Sequence, residues 1–247
     1  MSGGPILFVD DAAGPTELLA ELLRSSTGSP VATFSSVEGF LAAPIEPWSV
    51  AIVDMSFRGS QLNGADVLLR LHREAPNVGR LVYSQGDDWV ADLLRDTWEA
   101  IPIQAVLSKG VTATAFVDVV RRVLAGERSI VDPVLAPLLP ASPSPWRTLD
   151  GYGRLVVHAG HAKLWQALID APTEPSYREL GSATGLSVNS VRNYRDQLLA
   201  ELRLHGLDAG KMRHMHVFAR RCRPFLAPFI AAKLGPPADR GQPAARW

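Results

Sequence analysis

Polar residues close several short apolar runs in the first half of the chain: Asp10 and Asp11 after ILFV, Asp54 after VAIV, Ser84 after LVY, and Ser108 with Lys109 after AVL. In an open parallel sheet, ligands bind beyond the carboxyl ends of the strands, so residues at such ends are the ones placed to do chemistry. Three carboxylates converging on one edge repel unless a hard divalent cation sits among them, which makes Mg²⁺ the natural occupant. Lys109 would then pair with added negative charge. Taken singly, Asp and Ser at strand ends also serve as helix caps, so the weight lies in the set.

The elements that must carry these residues follow from periodicity. Apolar runs too short for helices predict strands at Ile6–Val9, Val31–Phe34, Val50–Val53, Arg80–Tyr83 and Ala105–Leu107. Amphipathic segments between and after them predict helices at Thr16–Arg24, Val37–Ala42, Ala65–Glu74, Trp89–Trp98 and Thr114–Leu124. In the first, Leu18, Leu19, Leu22 and Leu23 form one expected apolar stripe. Strict alternation of strand and helix indicates a parallel sheet covered on both faces over residues 1–126, a flavodoxin-like α/β domain. Residues 127–158 carry Pro133, Pro137, Pro140, Pro143 and Pro145, and read as a linker. Residues 159–232 turn helical throughout, a second, all-α domain, and residues 233–247 read as a flexible tail.

Charge separates the same halves. Lys+Arg against Asp+Glu is 9 against 15 for residues 1–126, a balance of −6, and 13 against 7 for residues 159–247, a balance of +6. The acidic half suits a cation or phosphoryl group, and the basic half a polyanion. One cysteine, Cys222, excludes an internal disulfide and a cysteine-based zinc cluster. No long apolar run and no signal-like start are present, so a soluble cytoplasmic protein with no membrane partner is expected.

FVDD, AIVDM, LVYS and VLSKG, in that order and spacing, resemble the receiver domain of two-component response regulators over about half the chain. The resemblance implies that Asp54 is the nucleophile taking a phosphoryl group from a sensor histidine kinase. It also implies that Asp10 and Asp11 hold Mg²⁺ with Asp54 as a further ligand, that Ser84 hydrogen-bonds the phosphate, and that Lys109 ion-pairs with it. A phosphatase of haloacid-dehalogenase type needs a second acid two residues after the nucleophile. Ser56 stands there, so an enzyme is not expected. Three departures from the receiver pattern stand out. Arg58 replaces the usual proline and Gly64 follows Asp54 by ten residues rather than eight; Val106 takes the aromatic switch position; Gly110 replaces the proline that often follows the lysine.

In the basic half, SYRELGSATGLSVNSVRNYRDQLLAELRLHG reads as two helices joined at Gly185–Leu186–Ser187, with Ser187 the N-cap and Val191, Leu198 and Leu202 a buried stripe. Asn189, Arg192, Asn193, Asp196 and Gln197 on the opposite face are side-chain types that read base edges, while Arg178, Tyr194 and Arg195 suit phosphate contacts. The stretch resembles the LuxR-type (NarL/FixJ-like) helix-turn-helix effector domain, whose Ser/Thr–Val–Lys/Arg run is here Ser190, Val191 and Arg192. His161–Asp170 would be its first helix and Lys211–Cys222 its fourth. The usual glutamate of the first helix is missing, Thr184 replaces a common leucine, and Arg195 replaces an apolar residue. His205, His214 and His216 read as surface or phosphate-contacting groups. Together these readings lead to a transcription factor that binds promoter DNA, as a homodimer when active, under control of receiver phosphorylation. The alternatives are a receiver-like domain that switches by ligand or protein binding without phosphorylation, and a signalling adaptor that does not touch DNA.

Overall fold

The computed structural model describes residues 4–142, 144–205 and 211–235, and the chain divides into two compact units, Met1–Ser144 and Pro145–Trp247. The first alternates β1 (Ile6–Val9), α1 (Ala13–Thr27), β2 (Val31–Phe34), α2 (Val37–Ala42), β3 (Val50–Val53), α3 (Gly64–Glu74), β4 (Gly79–Ser84), α4 (Asp88–Ala100), β5 (Ala105–Ser108) and α5 (Ala113–Leu124). With a short edge strand β6 (Ile130–Val131), all strands pair in parallel in the order β2-β1-β3-β4-β5-β6, with Val9 opposite Val53 and Ser84 opposite Ser108. β1 and β3 are buried along their whole length, as strands covered on both faces must be. The rings of Phe8, Tyr83 and Phe116 meet in the core, Tyr83 and Phe116 with centroids 4.9 Å apart.

Two observations differ from the sequence reading. Leu18 does not join the stripe of α1 but is 74% exposed; the buried face is Thr16, Ala20 and Leu23, flanked by Leu19 and Leu22. Four leucines at i, i+1, i+4 and i+5 span more of the helix circumference than one sheet face can cover. The sheet also has a sixth strand, β6 (Ile130–Val131), taken from the proline-rich stretch and paired with Ala105 and Val106. A 3₁₀ turn at Ala136–Leu138 follows it. The prolines of that stretch begin at Pro133, after this edge strand, so no ladder hydrogen bond is lost.

The second unit is all-helical: α6 (Leu149–Gly153), α7 (Ala159–Asp170), α8 (Tyr177–Thr184), α9 (Val188–Leu204), α10 (Met212–Arg221) and α11 (Arg223–Leu234). Trp165 is fully buried and donates its indole N–H to the Leu155 carbonyl at 2.7 Å. Tyr152 of α6 stacks on Phe225 of α11, so these helices share the core of this unit with Trp165 and Phe218. Most of the expected tail lies outside the described residues. Among the described residues no helix is long and apolar enough to cross a membrane.

Candidate functional site

The sheet brings Asp10, Asp11, Asp54, Ser84 and Lys109 to one edge. Asp10 and Asp54 follow adjacent strands β1 and β3, and Ser84 ends β4. The Lys109 ammonium lies 2.8 Å from Asp10 Oδ2 and 2.7 Å from Asp54 Oδ2, bridging the two. Ser84 Oγ donates to the other Asp54 oxygen at 2.8 Å, and the Met55 N–H donates to that same oxygen at 2.7 Å. Asp10 is anchored by the Ala12 N–H at 2.9 Å, and Asp11 by the Arg58 N–H at 2.9 Å. Ser108, though at a strand end, turns its hydroxyl to the Gly110 N–H rather than to Asp54.

Burial and charge oppose each other here. Asp10 is 3% exposed and Asp54 4%. Burial pushes the Asp10 carboxyl above its ordinary range despite the Lys109 hydrogen bond. For Lys109, burial works to lower the ammonium, yet the two carboxylates outweigh it and raise it overall. One carboxyl oxygen from each of Asp10, Asp11 and Asp54 can be chosen so that all lie within 4.8 Å of one another. An all-oxygen, triply anionic set with a single lysine suits a hard divalent cation of the Mg²⁺ class rather than a soft metal. A cleft of about 280 Å³ opens over the group, lined by Asp11, Asp54, Arg58, Ser84, Asp87 and Lys109 among others.

Gly64 fixes the approach of α3 to this edge. A Cβ there would lie 2.1 Å from the Asp54 carbonyl oxygen, so only glycine lets the helix start so close to the end of β3. Asn63 caps α3 in a reciprocal box with Asp66, and Ser60 Oγ donates to Glu38 at 2.6 Å, so the lengthened loop is tied in its middle and where α3 begins. The sequence showed Gly64 but not its role.

Asp132 and Leu135, in the stretch expected to be a linker, also reach this edge, with no spacing in the sequence to mark them. Asp132 accepts from the Ser108 N–H at 3.1 Å, beside Lys109, and from the Val134 N–H at 2.8 Å. Leu135 is 1% exposed and packs on Gly86 two residues after Ser84, at φ +74, where an added Cβ would sit 2.6 Å from the leucine.

In the helical unit, α8 opens with a capping box from Ser176 and Glu179 and closes on Gly185 in the left-handed conformation; Ser187 then caps α9 through the Ser190 N–H. Asn189, Arg192, Asn193, Asp196, Gln197 and Arg178 are exposed, and Ser190 is half-buried. Two of the expected phosphate contacts have partners inside the unit. Tyr194 lies against Gly160 and the rings of His158 and His161, while Arg195 pairs with Asp196 at 2.6 Å and hydrogen-bonds the Tyr177 hydroxyl. His205 and His216 are buried, correcting their reading as surface groups, and His216 Nε2 is 3.0 Å from the Ala171 carbonyl oxygen; His214 alone of the three is exposed.

The structure is similar to a CheY-like response regulator receiver domain protein from Methanospirillum hungatei, at 16% identity and TM-score 0.43, over 51% of this chain and 96% of that one. It is similar to the response regulator DrrB of Thermotoga maritima, an OmpR/PhoB homologue, at 14% identity and TM-score 0.44, over 80% of this chain and 88% of that one. It is also similar to the RcsB response regulator of Salmonella typhimurium at 14% identity and TM-score 0.46, over 87% of this chain and 98% of that one. No family model and no curated protein matches the sequence.

Proposed function

We propose that the chain is a phosphorylation-controlled response regulator in which Asp54 receives a phosphoryl group from the phosphohistidine of a sensor kinase and the helical unit binds duplex DNA. The observation that supports this reading best is the treatment of Asp54. One carboxyl oxygen is held by Ser84 and a backbone N–H, the other by Lys109, and two more carboxylates lie alongside. A merely structural aspartate has no need of that arrangement.

In the transfer, an Asp54 oxygen attacks phosphorus as the phosphorus–nitrogen bond of the phosphohistidine breaks. The imidazole leaves with the bonding pair and takes up a proton. Asp10, Asp11 and Asp54 would hold Mg²⁺, which supplies neutralisation of the charge on the phosphoryl oxygens. Ser84 then donates to a phosphoryl oxygen, and Lys109 exchanges its ion pair with the free carboxylate for one with the phosphate. In the helical unit, α8 and α9 act as a helix-turn-helix, with the exposed face of α9 presented to the major groove.

Incubation with acetyl phosphate and Mg²⁺ should add one phosphoryl group by intact mass, and Asp54→Asn should abolish it. An unmodified mass under these conditions would favour a receiver-like domain that switches by ligand or protein binding. Val106, buried on β5, supports that second reading, because a valine has no ring to swing between two positions.

A further inference from the structure

The geometry points to Tyr177 as a positioning residue for DNA reading: its ring and hydroxyl withdraw Arg195 and aim Arg192, leaving Asn189, Arg192 and Asn193 as the base-reading set. This rests on the DNA-binding reading above and names which of its residues carry specificity. Tyr177 is the first residue of α8 and is half-buried beside α9. The Arg192 guanidinium lies 5.3 Å from its ring centroid and the Arg195 guanidinium 5.8 Å, both within cation–π reach. The hydroxyl accepts a hydrogen bond from Arg195 Nη1.

The remaining contacts divide the two arginines. Arg195 Nε and Nη2 both donate to Asp196 Oδ1, at 3.0 and 2.6 Å, and its side chain is only 24% exposed. Its charge is thus neutralised within α9, and Asp196 is occupied along with it. Arg192 is exposed and meets no carboxylate among the described residues. A ring beneath a guanidinium restricts its rotamers without using its donors, so its fork stays free for a bidentate contact to a base edge. Arginine at 195, where the resembled family carries an apolar residue, therefore has a physical account. Its stem and head cover Tyr177 and it serves the reading helix from within.

The test uses the full chain treated with acetyl phosphate and Mg²⁺. Duplexes are enriched from a random pool by the wild type, and binding is followed by fluorescence anisotropy against a scrambled duplex across salt concentrations. Tyr177→Ala is expected to lower the ratio of selected to scrambled affinity about fivefold, and Tyr177→Phe to restore most of it, since the ring remains. Arg192→Met should lower that ratio by roughly tenfold or more and relax discrimination at a single base position, with Arg195→Met costing far less.

Equal losses on both duplexes in Tyr177→Ala would mean that the tyrosine only supports the fold, and would overturn the inference. Should that variant not fold, the arginine pair decides. A fall in the salt slope of about one on Arg195→Met would identify a phosphate contact and refute its withdrawal. A wild type that enriches no duplex would overturn the DNA-binding reading itself, which a wild type that binds with an indifferent Tyr177 would leave standing.

Discussion

At the strand tips of the first unit, buried charges are kept and wired together: Lys109 sits 2.8 Å from Asp10 and 2.7 Å from Asp54, and Ser84 completes the group. In the helical unit a buried titratable group is treated the opposite way. His205, 2% exposed, lies against the rings of Tyr152 and Phe218, with neither ring nitrogen in a hydrogen bond of ordinary geometry to a described residue. Burial, seconded by the Arg147 cation and opposed by the Gly151 backbone, pushes it down to about 4. The sheet edge retains charge at an energetic cost, as sites that act on charged ligands do. The helical core excludes charge, as a packing element does.

The sharpest way to break that contrast is to remove the lysine. Lys109→Met leaves three carboxylates together without their cation, and losing one partner of a buried ionic group costs about 3–5 kcal/mol. Chemical denaturation of the first unit without divalent ions should show that loss. Millimolar Mg²⁺ should return part of it, because a ligand that binds only the folded state stabilises by mass action. Full stability without Mg²⁺ would make the cluster an ordinary solvated edge.

The next test is pH. An unfolded histidine binds its proton near 6.5 and the folded His205 near 4, so between these values the unfolded state holds more protons. Stability is complete above the upper value and is lost as pH falls through the window, by up to roughly 3 kcal/mol. Calorimetry of wild type and His205→Phe from pH 7 to pH 4 should show the two diverging on acidification, the variant losing less. Parallel curves would show that His205 takes up its proton as readily in the fold as in the unfolded chain.

These tests also mark what the sequence could and could not disclose. β1, β2 and β3 were legible to the residue because their apolar runs stop at turn or polar residues, and Asp10, Asp54, Ser84 and Lys109 were legible as a set because strand order carries them to one edge. Leu18 misled because an apolar stripe on a helix records what is available for burial, not how much surface the sheet offers. His216 stands four residues after Met212 on the buried stripe of Met212, Met215 and Ala219, so the periodicity of α10 did announce its burial, whereas His205 is covered only by the distant rings of Tyr152 and Phe218. Arg195 and Tyr177 stand 18 residues apart, and their pairing exists only once α8 is folded back on α9.

The smallest effect concerns β6, a strand that the sequence pattern does not announce. Two β-branched residues ahead of a run of prolines carry too little periodicity to announce a strand; what holds them is pairing with β5 and the hydrogen bonds that Asp132 accepts from the N–H groups of Ser108 and Val134. Asp132→Ala removes both bonds and should cost about 1–2 kcal/mol, chiefly by leaving the Ser108 N–H short of a partner. Because Ser108 precedes Lys109, the loss should be felt at the acidic edge as well. Amide exchange should quicken at 108–110 and 130–135 together, while β1 stays protected. Faster exchange confined to 130–135 would mean that β6 is only a passive extension of the sheet. Joint loosening would tie the proline-rich segment to the strand that carries the lysine, so that the contrast between a wired edge and a neutral helical core would extend into the chain leaving the first unit.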